Sequence, residues 1–476
     1  MYPKMQERSR WWALVIVLTA PLLSVIDIFI INMSIPAIQE GIHATDGETQ
    51  LVIAGYLLGS ASFLIIGGRT GDYLGRKKVF FWGMFFFTLT SCFCGLAQTP
   101  AQLNLMRFLQ GISTSFMAPQ AIAFIHVLFE DEQEKAKAIG WYGATLSIAA
   151  IIGQILGGYL SAIYFITDGW RLIFFINLPV GAAALWAIHR YLQETPRSSH
   201  HRFDYSGAGI LTAGLIALIY PLTTGREEGW PLWSIAMLAG AVFIFVWFLR
   251  DQLKKGMLSK EPLIDMSLFR LKGFNIGLLA VLFHFMMHTA YLLMCAVYLQ
   301  KGLGLSALTC GVYFILHACL FMIAAMVTSR LIVRYGKRVL QWGVLLIFLA
   351  FILQVLLFRQ QASGFTIVSL IGLYGLGNGM VLPSLLGIVL KSIPARYAGV
   401  SAGIFSTFQQ TASALGISIL GGIFYYVLHL NEQHPDYLRA FSAGLSANMV
   451  SLLIVAVMLF LLPHQPGPAT TVLQEH

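Results

Sequence analysis

The chain contains a series of apolar segments, each long enough to cross a membrane. A membrane-spanning helix needs about 20 predominantly apolar residues. The candidates lie within Trp11–Ile35, Leu51–Gly67, Val79–Ala97, Gln102–Leu128, Ile139–Ile166, Leu172–Leu192, Gly207–Leu222, Pro231–Leu249, Phe274–Leu299, Ala307–Val333, Val339–Phe358, Phe365–Leu390, Val400–Leu428 and Phe441–Leu462. These are fourteen spans, and twelve is the alternative, because the seventh is short and contains glycine. The pattern predicts an all-α polytopic membrane protein.

Composition supports this class and excludes a soluble one. Of the 476 residues, 57% are hydrophobic and 11% are charged, whereas about 25% of an ordinary soluble chain is charged. The net charge of +9 does not indicate nucleic-acid binding, because the basic residues are scattered over short loops instead of forming one basic face. We expect a lipid bilayer as the surrounding medium, no nucleic-acid partner and no cofactor.

The distribution of basic residues predicts the orientation. With fourteen spans, most of the 30 lysine and arginine residues fall on the side that holds both termini. The opposite side receives Arg171, Arg226, Lys301, Arg359 and Arg439, and Arg107 lies within a span. Because positive charge accumulates in cytosolic loops, we expect a multi-pass protein of the cell (inner) membrane with both termini in the cytoplasm.

A short basic run, Gly68–Lys78, separates the second and third spans and must form a tight turn at the membrane surface. A weaker copy, Ser329–Arg338, separates the tenth and eleventh spans. The offset of eight spans predicts a duplicated six-helix unit with two helices between the copies. We therefore expect residues 1–192 and 273–476 to form two six-helix lobes and residues 193–272 to form two inserted helices with their linkers.

Two charged residues lie within predicted spans. Asp27 is a candidate proton carrier, because an ionisable group in a membrane costs several kcal/mol and is a functional candidate by default; its alternative is a protonated carboxyl that makes one interhelical hydrogen bond. Arg107 keeps its charge and needs a counter-ion, carbonyl groups or water. At 1.5 Å per residue, Asp27 lies roughly 20 Å from one membrane face and Arg107 roughly 8 Å from the other. In a core about 30 Å thick these depths nearly coincide, so the two residues form a candidate proton-coupling pair.

Other polar residues within the spans are candidates for lining a substrate cavity. His284 and His288 are four residues apart and share a helix face, while His317 lies near the middle of the next span. The sequence allows these histidines to line a pocket, relay protons or only pack, and it offers no pattern for a metal site. The remaining candidates are Asn32, Gln154, Asn378 and Gln409. Gln154 lies in a segment rich in small residues that permits close helix packing.

Several motifs together resemble one family. Gly68–Lys78 resembles the signature loop of the major facilitator superfamily, and Leu103–Gly111 resembles its fourth-helix motif. Asp27-x4-Asn32-x3-Pro36, Trp170-Arg171-x2-Phe174-x2-Asn177-x-Pro179, Phe203-Asp204-Tyr205-x-Gly207 and Pro262-Leu263-Ile264-Asp265 are similar to motifs of the fourteen-helix drug:proton antiporters. The helix-5 exporter motif differs, since Ala149 replaces a glycine and Gln154 replaces a proline.

The resemblance implies the major facilitator fold and alternating access around a central cavity. It also implies that Asp27 and Arg107 couple transport to protons. Gly68, Asp72, Gly75 and Arg76 match residues of a cytosolic latch that stabilises the outward-open state.

We therefore predict a proton-coupled exporter of hydrophobic, cationic drugs or biocides that acts as a monomer on a small-molecule substrate and is not an enzyme. The alternative is a proton-coupled transporter of one endogenous metabolite, lipid or siderophore.

Overall fold

The computed structural model describes residues 7–163, 168–195, 204–258, 260, 262–359, 361–391, 398–430 and 435–462. Within them, fourteen helical stretches are long and apolar enough to cross a membrane, which confirms the predicted number of spans. Both chain termini, including residues 463–476, lie outside the described residues.

The first lobe contains six spans. They are formed by α1 (Glu7–Gly41), α2 (Asp46–Leu74), α3 (Arg76–Leu96), α4 (Pro100–Leu128), α5 (Glu132–Ser161), and the pair α6 (Gly169–Phe175) and α7 (Asn177–Tyr191). Polar side chains cap the beginning of several of these helices. Thr45 and Glu48 form a reciprocal capping box at α2, and the Asp131 side chain accepts hydrogen bonds from the first turn of α5. Such caps satisfy amide groups that have no partner within the helix. We call the end at which α2 meets α3 the basic end, and the opposite end the far end.

Two further spans, α8 (Tyr205–Thr224) and α9 (Leu232–Met257), follow the first lobe. The carboxylate of Asp204 holds them together at the basic end. It accepts hydrogen bonds from Gln252 Nε2 at 2.7 Å, Lys255 Nζ at 2.6 Å and the backbone amide of Leu263 at 3.1 Å. Two of the motifs noted in the sequence, around Asp204 and Leu263, are therefore direct neighbours. A 3-10 turn, Met266–Arg270, leads into the second lobe.

The second lobe also contains six spans. They are α10 (Lys272–Val297) with a π turn at Tyr298–Gly302, α11 (Ala307–Tyr335), α12 (Arg338–Leu357), α13 (Gly364–Lys391), α14 (Ala398–Leu415) continued through a π turn at Gly416–Leu420 into α15 (Gly421–Leu428), and α16 (Tyr437–Leu461). The two basic runs noted in the sequence occupy equivalent places, but most of each run is helical and the turns are shorter than predicted. Helix α2 continues to Leu74 and α3 begins at Arg76, while α11 continues to Tyr335 and α12 begins at Arg338. Gly75 follows α2 with φ +100°, and Gly336 follows α11 with φ +55°.

Close helix contacts repeat in the two lobes. A Cβ atom added to Gly111 on α4 would lie 2.0 Å from the carbonyl oxygen of Tyr56 on α2. A Cβ atom added to Gly375 on α13 would lie 2.4 Å from the carbonyl oxygen of His317 on α11. Only glycine permits such an approach of two backbones. The α2–α4 pair and the α11–α13 pair are thus packed in the same way.

The lobes contact each other at the far end. Gln300 Nε2 donates to the carbonyl oxygen of Met33 at 3.0 Å, and Lys301 Nζ donates to Gln39 Oε1 at 2.7 Å. A Cβ atom on Gly158 would lie 2.3 Å from the carbonyl oxygen of Ala307, so α5 and α11 touch there. Toward the basic end of α5, no described atom lies within 4 Å of a Cβ atom placed on Gly140. The far end is therefore closed in this conformation.

Candidate functional site

A fully buried ion pair lies in the centre of the first lobe. Arg107 Nη1 on α4 lies 2.5 Å from Asp27 Oδ2 on α1, and the two side chains are 1% and 0% exposed. The depths derived from the helical rise therefore correspond to a direct contact. Because each charge is removed from water, each depends on the other and on its hydrogen bonds.

Two amides complete the surroundings of the carboxylate. Gln110 Nε2, one turn after Arg107 on α4, donates to Asp27 Oδ1 at 2.9 Å. Asn177 Nδ2, at the start of α7, lies 3.4 Å from the same oxygen and donates to Ser91 Oγ at 2.9 Å. Helices α1, α3, α4 and α7 thus meet at this carboxylate.

Arg107 has further partners that do not depend on Asp27. Its Nε donates to the carbonyl oxygen of Val52 at 3.0 Å, and its Nη1 donates to Gln110 Oε1 at 2.7 Å. The guanidinium carbon lies 4.4 Å from the centre of the Tyr56 ring, which provides a cation–π contact. If Asp27 takes up a proton, the arginine keeps a carbonyl, an amide and an aromatic face. The guanidinium group is therefore stabilised by several groups besides the carboxylate.

The second lobe contains a chain of polar side chains between α10 and α13. His284 Nε2 lies 2.9 Å from Asn378 Oδ1, Asn378 Nδ2 lies 3.2 Å from His288 Nδ1, and Tyr374 Oη lies 2.7 Å from the same nitrogen. The ring of His317 on α11 stacks on Tyr374 with a centroid distance of 5.6 Å. Four of the predicted cavity residues are thus brought together. Within the described residues, no group of three His, Cys, Asp or Glu is arranged to hold a metal ion.

Comparison with known proteins decides the family. The Major Facilitator Superfamily model matches residues 17–417. The chain belongs to the Major Facilitator Superfamily. A probable actinorhodin transporter of Streptomyces coelicolor is 32% identical to it over 424 residues, covering 88% of this chain and 73% of the relative. The multidrug resistance protein Stp of Mycobacterium tuberculosis is 30% identical over 422 residues, covering 86% and 76%. The methylenomycin A resistance protein of Bacillus subtilis is 26% identical over 458 residues, covering 94% of each chain.

Solved structures of the superfamily share the fold. A bacterial homologue of the human lysosomal transporter Spinster, in an inward-facing and occupied conformation, matches with a TM-score of 0.67 at 16% identity, covering 96% of this chain and 97% of the other. A D-xylose-proton symporter matches with a TM-score of 0.63 at 13% identity, covering 93% and 97%. These likenesses establish the architecture of this superfamily member, a multi-pass membrane protein with the major facilitator fold.

The remaining predicted cavity residues of this superfamily member lie apart from both clusters. Gln154, buried at the contact between α5 and α11, has no described partner for either polar atom of its side chain. Asn32 Nδ2 donates to the carbonyl oxygen of Ile28 at 3.3 Å within α1. Gln409 on α14 is half-buried, and its neighbour Gln410 donates to Ser60 Oγ at 3.3 Å.

An ion pair joins the last turns of α2 to the start of α3 at the basic turn. Arg76 Nη2 lies 2.9 Å from Asp72 Oδ1, and Arg76 Nη1 donates to the carbonyl oxygen of Ala123 on α4 at 2.8 Å. All these contacts lie within the first lobe. Gly68 lies beside Pro119, and Gly75 provides the positive φ that ends α2.

Sequence reasoning did not assign several residues that the structure places in these sites. Gln110 and Asn177 lie within quoted motifs, so a signal was present, but nothing in the spacing identified them as partners of Asp27. Glu194 accepts hydrogen bonds from the backbone amides of Lys77 at 3.0 Å and Lys78 at 3.3 Å. It thereby caps α3 from the linker after α7, and no pattern in that linker predicts this contact.

Proposed function

We propose that this member of the Major Facilitator Superfamily is a proton-coupled exporter of hydrophobic, cationic drugs or antibiotics, and that Asp27 carries the proton. The observation that carries the proposal is the buried Asp27–Arg107 pair, whose carboxylate is held by donors from two other helices. An ionisable pair at this depth is costly to maintain and is typical of proton-coupled transporters.

In the proposed cycle, the two lobes alternately open toward the basic end and the far end. Substrate enters from the basic end, and the protein changes conformation around it. Asp27 takes a proton from the far side, and its attraction to Arg107 weakens. The proton is released on the basic side when the ion pair forms again, so proton and substrate move in opposite directions.

The named relatives support the substrate class. They include a probable actinorhodin transporter, a tetracenomycin C resistance and export protein of Streptomyces glaucescens and a multidrug resistance protein. Actinorhodin and tetracenomycin C appear in the names of those relatives, and we do not transfer either compound to this chain. For this chain we propose the broader class of hydrophobic drug-like molecules. We expect a preference for substrates with one positive charge, because a single membrane carboxylate, Asp27, carries the one proton that is exchanged for the substrate.

The orientation and organisation form part of the same proposal. The basic end faces the cytoplasm, because lysine and arginine accumulate there, and both termini lie on that side of the cell (inner) membrane. Residues 1–192 and 273–476 form the moving lobes, residues 193–272 form the inserted pair, and the transporter works as a monomer. Gly68, Asp72, Gly75 and Arg76 form a latch that contacts the second lobe in the outward-open state.

The test is uphill transport by purified protein in liposomes. An imposed pH gradient, acidic on the side that receives the substrate, should drive accumulation of tetraphenylphosphonium or a fluorescent lipophilic cation. A protonophore should abolish that accumulation. Uptake that does not depend on the pH gradient would overturn the proposal of a proton-driven drug exporter. Transport of only one metabolite in a panel of cations, sugars and lipids would also overturn it.

A further inference from the structure

The polar chain in the second lobe can hold a proton in more than one place. Asn378 Oδ1 can only accept, so the Nε2 atom of His284 carries the hydrogen in their 2.9 Å contact. Asn378 Nδ2 can only donate, so the Nδ1 atom of His288 is the acceptor at 3.2 Å. If the side-chain amide of Asn378 rotates so that its oxygen and nitrogen exchange positions, His284 becomes the acceptor and His288 becomes the donor. The hydroxyl of Tyr374 can donate or accept in either case. The chain is therefore compatible with either tautomer and with an additional proton on a ring.

Three ring nitrogens in this cluster are buried without a described hydrogen-bond partner. They are Nδ1 of His284 and both ring nitrogens of His317. His284 is fully buried and His317 is 4% exposed, whereas His288 has the largest exposure of the three at 9%. A buried polar atom without a partner costs about 1–3 kcal/mol. Packing alone would be served better by apolar side chains, so the histidines point to a function that needs vacant proton-accepting nitrogens.

The internal repeat relates this cluster to a specific group of residues in the first lobe. Gly111 approaches the backbone of Tyr56, and Gly375 approaches the backbone of His317 in the same way. His317 is therefore the equivalent of Tyr56. Tyr374 directly precedes Gly375, just as Gln110 directly precedes Gly111. Tyr374 is therefore the equivalent of Gln110.

The contacts of these equivalent residues identify the remaining member. Gln110 binds Asp27 at 2.9 Å, and Tyr374 binds His288 at 2.7 Å. His288 therefore occupies the place in the second lobe that Asp27 occupies in the first.

We propose that His288, together with His284 and His317, forms a second protonation site of this transporter, in the second lobe and opposite the Asp27–Arg107 pair. Its coupling to substrate rests on the proposed function, whereas its capacity to bind a proton does not. A proton makes this cluster cationic, in contrast to Asp27, which a proton neutralises. A cationic substrate in the central cavity and a proton on the cluster therefore disfavour each other.

The surroundings leave the histidines as the groups that can take up this proton. The helices packed around His288 contribute the following titratable side chains near it: His284, Tyr291 and Cys295 from α10, His317 from α11 and Tyr374 from α13. Helix α12 contributes the uncharged Gln354, which donates to Tyr291 Oη at 3.1 Å, and α14 has no titratable side chain. Tyr437 and Arg439 lie in the far-end first turn of α16, and Asp27 on α1 is paired inside the other lobe.

The first test observes the imidazole rings directly. Full-length protein with ¹⁵N-labelled histidine is titrated by NMR in nanodiscs, and single His→Gln variants assign the signals. We expect a ring signal that is lost in His288→Gln to change as the pH is lowered, because protonation of an imidazole moves the signals of its ring nitrogens. We also expect the midpoint of that change to shift in His317→Gln. His126→Gln, at an exposed position on α4, should leave that signal unchanged. Ring signals that stay neutral down to the lowest pH at which the wild type remains folded would overturn the proposal.

The second test measures competition with substrate. We expect the KM for tetraphenylphosphonium to rise more steeply with falling pH in the wild type than in His288→Gln, by up to about tenfold per pH unit, because one competing proton has been removed. His126→Gln should follow the wild type. Identical pH profiles of KM for the wild type and His288→Gln would refute the coupling. Absence of proton-driven transport in the wild type would instead refute the proposed function and leave the NMR titration as an independent result.

Discussion

At the scale of single residues, the environment of Asp27 explains how a membrane interior keeps two opposite charges. The carboxylate has Arg107 on one oxygen and Gln110 on the other. Arg107 is also bound to the carbonyl oxygen of Val52. Because both charges lie out of contact with water, removing Arg107 leaves the Asp27 carboxylate buried without a counter-ion.

The first prediction concerns Arg107→Gln. We expect this variant to lose about 3–5 kcal/mol of stability at neutral pH, because the charge of Asp27 is left buried without its counter-ion. Thermal unfolding of the purified protein in detergent measures the effect. In the double variant Asp27→Asn/Arg107→Gln the two losses should be strongly non-additive, and simple additivity would contradict a direct pair.

The sequence predicted part of this site for a clear reason. The helical rise fixes depth, so Asp27 and Arg107 could be placed at the same level. It does not fix which faces of two distant helices meet, so Gln110 and Asn177 were not assigned as partners. Tyr374 was not assigned either, although it contacts both His288 and His317.

At the scale of helices and linkers, Asp204 joins α8, α9 and the segment around Leu263. Burial acts to raise the pKa of its carboxyl, but hydrogen bonds from Gln252, Lys255 and the backbone amides of Gly207 and Leu263 outweigh burial and lower the pKa to about 2. A carboxyl with a lowered pKa stabilises the folded state above its unfolded pKa, and this contribution is lost as the pH falls through the folded value.

The second prediction follows from the lowered pKa of Asp204. We expect the amide of Leu263 to lose protection from hydrogen exchange as the pH falls from about 4 to about 2, after correction for intrinsic exchange. In Asp204→Asn the protection should already be lower at neutral pH, by about 2 kcal/mol, and should not change further over the acid range. Asp265→Asn, which removes a nearby carboxylate charge but keeps an oxygen that can cap the 3-10 turn, is the control. Equal protection of the Leu263 amide in the wild type and in Asp204→Asn would show that the Asp204 carboxylate does not hold the segment around Leu263.

The helices themselves were largely predictable, and their ends were less so. The fourteen apolar runs correspond to the fourteen spans. Helix α5 begins at Glu132 instead of near Ile139, because its first turns are polar and an apolar count ignores them. The sixth span consists of α6 and α7, which meet at Ile176. Its apolar run contains Asn177 and Pro179 at this point, and because a proline lacks the backbone donor and clashes with the preceding turn, the sequence did contain a signal for the division.

At the scale of the whole molecule, the two lobes meet at the far end in this conformation. Lys301 contacts Gln39, and Gln300 contacts the backbone of Met33. The ion pair of the basic turn, Arg76–Asp72, stays within the first lobe. Transport by alternating access requires the far-end contacts to break during each cycle.

The third prediction tests this requirement. In a cysteine-free background, Gln39→Cys and Lys301→Cys are joined by a short bifunctional thiol reagent. We expect transport to stop in proportion to cross-linking, because the far end can no longer open. Each single-cysteine variant treated with the same reagent should transport normally. Full transport by completely cross-linked protein would show that these contacts persist throughout the cycle.

The duplicated architecture was visible in the sequence, whereas the conformation was not. The Gly68–Lys78 run and its weaker copy mark equivalent turns, and Gly75 and Gly336 both adopt positive φ there. Opening toward one end or the other leaves most contacts within each lobe unchanged. Sequence patterns report those internal contacts, so they do not distinguish the two states.

The measurement that tests the central claim most directly compares uphill transport with exchange in Asp27→Asn. The variant should exchange labelled for unlabelled tetraphenylphosphonium across liposomes but fail to concentrate it when a pH gradient is imposed, because the lobes still move without a proton carrier. Glu132→Gln, which alters a carboxylate that is 86% exposed, should do both. Concentration of substrate by Asp27→Asn at the wild-type level would contradict the role assigned to Asp27.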